Sequence, residues 1–152
     1  MRRLMFVAVF LLFPTLVVPT FALSPDEESV HQQAIAVLEQ RIREAEPREQ
    51  CFLYAQLINQ MTEFSRHQYA AGNSGKANAL LHQVQGLTQK LHKTVSENDK
   101  RLKKAEILLR RTAFRLNEML HASSYPDRTL LQETLAQVNQ ADNDAMLQVF
   151  KR

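Results

Sequence analysis

The chain has few of the residues that break helices and none of the patterns that build sheets. Only three glycines occur in 152 residues, tryptophan is absent, and β-branched residues never cluster into an alternating run. A half-buried strand needs apolar and polar residues in strict alternation, so this lack argues against a sheet-based fold and leaves an all-α reading. Cys51 is the only cysteine, which excludes an intramolecular disulfide even in an oxidising compartment. Cys51 is then either a small buried hydrophobe or a free thiol that reacts or pairs between chains. Also missing are the Gly-x-Ser-x-Gly of a nucleophile elbow and the His-Glu-x-x-His of a metalloprotease helix. Nothing in the sequence points to catalysis, and neither a cofactor nor a small-molecule substrate is expected.

What is present begins with an address. Arg2 and Arg3 precede an apolar run from Leu4 to Val18, and Thr20 and Ala22 supply small residues before a cut after Ala22. That is the layout of a secretory signal peptide over residues 1–22, with the periplasm or the extracellular space as the destination. The alternative is an uncleaved N-terminal membrane anchor. Against it, Pro14 interrupts the run and a polar, acidic segment follows at once. Removing residues 1–22 leaves a single domain over 23–152 and lowers the formal charge from +3 to +1, because two arginines leave with the signal.

Helix signals then follow in order. Ser24, Pro25 and Glu27 form a capping pattern that predicts a helix to about Glu46 with Val30, Ala34, Val37, Leu38, Ile42 and Ala45 as its stripe. Pro47 ends it. Residues 48–71 form the most apolar helix, with Leu53, Tyr54, Leu57, Ile58, Met61 and Phe64 covering roughly 140° of its surface. The stretch Gly72-Asn73-Ser74-Gly75 breaks it. Asp127 is the expected N-cap of a last helix, about 128–150, with the stripe Leu131, Leu135, Val138, Ala145 and Val149.

Between these, apolar residues recur from Leu80 through Val84, Leu87, Leu91 and Val95, and after Asn98 through Leu102, Ala105, Leu109, Ala113, Leu116 and Leu120. The mean step is about 3.6 residues and never slips phase, which predicts one helix over about 75–121. Ser96 and Asp99 offer the other outcome, the cap of a new helix. The favoured architecture is an antiparallel bundle of four or five helices with this one long member. The first and last helices can both cover its 100–121 half, leaving Leu80, Val84, Leu87 and Leu91, with Leu53, Leu57, Met61 and Phe64 on the facing helix, as the expected contact surface for a second subunit or a protein partner. A compact monomer is the competing arrangement.

Residues 99–111, DKRLKKAEILLRR, hold six cations against two acids. With Leu109 at zero, Lys100, Lys103, Lys104, Arg111 and Arg115 lie between roughly 120° and 240°, away from the stripe. They form either a solvated face or a docking face for an anionic polymer or membrane surface. The first helix, with six acids against Arg41 and Arg43 over residues 25–46, is an internal counterweight if it packs alongside. Nucleic acid is disfavoured, since no aromatic residues interleave for base stacking.

Four further patterns dissolve on inspection. Glu28/His31 and Glu118/His121 have the Glu-x-x-His spacing of carboxylate-bridged metal sites, but each turns away from its helix's stripe and sits at a helix end. Glu63 and His67 read as surface or rim residues. Gly72 to Lys76 has the wrong spacing for a phosphate loop, and the Arg115/His121 spacing found in some helical ribonucleases arises readily by chance. No metal is expected.

Two resemblances remain. AAGNSGKANALL, residues 70–81, resembles the hairpin turn of a tetratricopeptide repeat through Gly72, Ala77 and Leu81; no second copy exists, so it implies a helical hairpin and little more. Through CFLYAQL (51–57), the Gly72 turn and KRLKKAEILL (100–109), the chain also resembles a family of short secreted all-helical bacterial proteins without an assigned activity. That implies export and a helical build, and carries no site. The expected function is a non-catalytic exported module acting through helix packing with itself or a protein partner, or else binding an anionic surface through residues 100–115.

Overall fold

Among the described residues five helices follow one another: α1 (Pro25–Glu44), α2 (Pro47–Ala70), α3 (Ser74–Thr94), α4 (Leu102–Ala122) and α5 (Tyr125–Phe150). The computed structural model describes residues 25–96, 99–123 and 125–151; the expected signal peptide, the capping Ser24 and Asn98 lie outside them. Pro25 and Pro47 each open a helix, where a missing N–H is harmless because the first turn has no carbonyl to bond. Glu46, ahead of Pro47, takes the extended conformation that a following proline imposes.

The α2–α3 turn is built on Gly72, whose φ of 79° is left-handed. Gly72 N–H donates to the Tyr69 carbonyl at 3.0 Å and Asn73 N–H to the Gln68 carbonyl at 2.8 Å. This closes the last turn of α2 as a Schellman cap, which leaves its terminal carbonyls satisfied.

The long helix expected over 75–121 is two helices. Val95 is extended and Arg101 is left-handed, with φ 58°. Between them Asp99, 3% exposed, accepts the Ser96 N–H on its carboxylate at 2.7 Å and donates its own N–H to the Ser96 carbonyl at 3.1 Å. Lys100 N–H bonds the Arg48 carbonyl at the start of α2, at 2.8 Å. The Ser96/Asp99 pair is thus the stop signal that the unbroken period concealed. Phase survives because Leu91 and Leu102, one on each side of the break, both enter the same core, at 0% and 2% exposure. A single rod of about 70 Å could cover its stripe only by recruiting others; folding it back does so within the chain.

The result is two helical hairpins side by side. α2 packs against α3 and α4, and α5 against the same two. Asn59 and Glu63 of α2 meet Thr112 and Arg115 of α4, so these helices run parallel. Asn78 and His92 of α3 meet Asp127 and Asp144 of α5 in the same sense. Four buried threonines, Thr62, Thr88, Thr112 and Thr134, donate their hydroxyls to the carbonyl one turn back, which removes the penalty of an unpaired polar group in an apolar interior.

α1 packs on α2 rather than on α4, so it does not cover the 100–121 half as expected. Ile35, Leu38 and Ile42 face the core, while Val30 and Val37 of the expected stripe stay exposed, at 62% and 53%. Among the described residues α1 packs on α2, with one ion pair reaching α3, and one helix can cover only one side of another. The stripe of α5 is as expected: Leu131, Val138 and Ala145 are buried and Leu135 and Val149 half-buried. Among the described residues no helix is long and apolar enough to cross a membrane.

Candidate functional site

The apolar surface expected to meet a partner is used inside the chain. Leu53, Leu57, Met61, Phe64, Val84 and Leu91 are 5% exposed or less, and Leu80 and Leu87 are half-buried against the core. The break at 95–101 is the cause, because α2 and α3 then meet both helices of the second hairpin. Among the described residues this stripe has no uncovered half.

The outward side of α4 is different. Its inward residues Leu102, Ala105, Leu109 and Leu116 are 2% exposed or less. At 100° per residue the opposite arc centres on Ile107 and Phe114, and these are 53% and 61% exposed. Lys103, Lys104 and Arg111 are exposed around them. A helix flanked by α2 on one side and α5 on the other leaves this third face to solvent. Sequence angles located the cations there; the two large apolar residues among them were missed, because attention to the buried stripe leaves its opposite side unexamined.

The five expected cations fall into two groups. Lys100 reaches Glu46 at 3.3 Å and Glu49 at 3.5 Å, and Arg115 bonds Glu63 at 2.9 Å and Glu118 at 2.6 Å. At the edges, Arg101 stands 5.0 Å over the Phe52 ring and Arg110 is held by Glu106 and Asp142. Lys103, Lys104 and Arg111 make no ion pair among the described residues. Of the expected counterweight over residues 25–46, Glu46 meets the basic stretch through Lys100, while the other acids that pair with its cations come from α2, α5 and α4 itself, and Glu28 of α1 pairs with Lys76 of α3 at 2.9 Å.

A second cluster joins α1 to α2. His31 stacks on Phe64, the His67 ring lies 5.0 Å from that of His31, and Gln60 Nε2 is 3.0 Å from His31 Nδ1. Glu63 is shared by Arg66 and Arg115, at 3.0 and 2.9 Å. Burial pushes its carboxyl up, but hydrogen bonds from the two guanidiniums hold it below the usual range. Glu28, Glu63 and Glu118 are therefore all engaged by cations, and no group of three or more metal-ligating side chains converges among the described residues.

Where the Gly72 turn meets the end of α4, a cleft of about 710 Å³ is lined by Arg66, Tyr69, Ser74, Arg115, Glu118 and Asp127. Arg115 is paired with Glu118 across it, and both Arg115 and Arg66 are held by Glu63. Tyr69 donates its hydroxyl to Asn78, which in turn donates to Asp127 at 3.1 Å; burial, then the Asp127 charge, pushes the phenol up to about 12. Cys51, 1% exposed, is the buried hydrophobe of the two expectations. Burial, and after it Asp99, pushes its thiol up to about 12, far from the thiolate that reactivity requires.

No known protein family, curated protein or solved structure matches the chain.

Proposed function

We propose that the chain is an exported helical binding module that docks on polyanionic surfaces through the outward face of α4. The observation that carries this is the cluster Lys103, Lys104 and Arg111, exposed and without ion pairs among the described residues, while the neighbouring cations Lys100, Arg110 and Arg115 are engaged by acids of the chain itself. A charge already paired gains little from a new partner; an unpaired one releases counterions when it meets an anion. Export rests on Arg2, Arg3 and the apolar run that follows them. The test is retention on immobilised heparin at low salt. With three cations engaged, a roughly fourfold rise in salt should weaken binding at least tenfold. The substitutions Lys103→Ala, Lys104→Ala and Arg111→Ala together should abolish retention, while Lys90→Ala with Lys93→Ala on α3 should leave it unchanged.

A second reading keeps helix packing with a second copy of the chain, now through α1. It is favoured by the exposure of Val30 and Val37 on a helix whose packing, among the described residues, is against α2. Light scattering tests it: a concentration-dependent dimer that Val30→Glu with Val37→Glu dissolves supports it, and a monomer at every concentration ends it.

A further inference from the structure

We infer that the anionic surface met by α4 is a lipid bilayer, with Ile107 and Phe114 entering the boundary between headgroups and acyl chains; this rests on the polyanion reading above. The two side chains are two helical turns apart, about 10 Å along the axis, and project to the same side. Both are more than half exposed. A soluble polyanion has no use for them. A stable protein interface buries about 800 Å² on each partner, far more than two side chains ringed by cations can supply. A bilayer surface uses both features at once, because a plane laid against α4 meets the apolar tips together with Lys103, Lys104 and Arg111.

The side chains suit the two depths. Lysine and arginine have long aliphatic stems, so their charged ends can stay at the phosphate level while shorter apolar residues between them sink deeper. Over residues 103–114 the one carboxylate, Glu106, is 7% exposed and bonded to Arg110; Glu118, exposed one turn beyond Phe114, is bonded to Arg115. An anionic leaflet therefore meets cations and hydrocarbon along α4 from 103 to 114 without an opposing charge.

The experiment places an environment-sensitive fluorophore on Ile107→Cys in the full chain as recovered from an exporting cell; native Cys51, buried with its thiol pushed up to about 12, does not compete for the label. Phosphatidylglycerol-containing vesicles should shift the emission to the blue, pure phosphatidylcholine vesicles should not, and the same probe on Glu133→Cys of α5 should stay unchanged with both. Phe114→Ser should lower vesicle affinity about tenfold, as expected for losing most of a buried phenyl group, and leave heparin retention intact. The local probe and the comparison of variants hold regardless of what residues 4–18 contribute. An unshifted probe at 107, or vesicle binding indifferent to Phe114→Ser, overturns the bilayer inference. If heparin retention persists in that case, the polyanion reading stands; loss of retention on heparin and vesicles alike ends both.

Discussion

His31 of α1 lies face to face on Phe64 of α2, with ring centroids 5.0 Å apart and planes 10° from parallel. The contact holds α1 to the helix it packs on and contains a titratable group. Gln60 supplies an amide donor to His31 Nδ1, an arrangement that needs the unprotonated nitrogen. Burial lowers the His31 pKa first and His67 next, with Arg66 adding to them and Glu27 and Glu63 opposing. Since the folded value lies below the unfolded 6.5, the unfolded state binds the proton more readily. Stability is thus complete above about pH 6.5 and falls as pH drops from there through the lowered folded value. The urea midpoint should decrease between about pH 7.5 and 5, and His31→Phe should flatten that decrease. An unchanged slope in the variant removes His31 as the source.

Gly72 and Gly86 should respond to alanine with opposite signs. A Cβ meets nothing within 4 Å at either position, but Gly72 has φ +79°. Gly72→Ala should destabilise by about 1 kcal/mol, because an L residue is strained in that conformation. Gly86 is an exposed interior residue of α3, and Gly86→Ala should stabilise by about 0.5–1 kcal/mol. Equilibrium urea unfolding measures both.

At the break between α3 and α4, Asp99→Ala strands the Ser96 N–H that the carboxylate accepts. The expected cost is about 1–2 kcal/mol. Cys51 should stay unreactive toward a disulfide reagent at about pH 8 in the native chain and react fully in denaturant, because the free thiolate is the nucleophile.

Leu109 and Ile107 stand two residues apart on α4, at 0% and 53% exposure. Leu109→Ala should cost about 2–5 kcal/mol through a cavity the core cannot close, whereas Ile107→Ala should move stability by no more than about 0.5 kcal/mol. Equal effects would show that α4 is rotated from the orientation described. Near-neutrality at 107 also keeps its docking variants interpretable.

The α1–α2 and α2–α3 boundaries were legible in the sequence, because Pro47 and Gly72 act on their own residue and its immediate neighbours. So were the all-helical class and the inward residues of α5. The site was half legible. Helical angles put Lys103, Lys104 and Arg111 away from the core, but only the packing decided which cations are spent on Glu46, Glu49, Glu63, Glu106, Glu118 and Asp142.

The sequence by itself determined which side of each segment from α2 to α5 turns inward, since periodic apolar spacing follows from helix geometry alone. Only the tertiary structure decided that Leu80 to Leu120 is a folded-back pair, that α1 covers α2 and leaves Val30 and Val37 bare, and that His31 meets Phe64. Those outcomes depend on contacts between residues far apart in the chain. Apolar period records burial whatever covers it, so a stripe closed by the chain's own hairpins and a stripe awaiting a second subunit are written in the same residues.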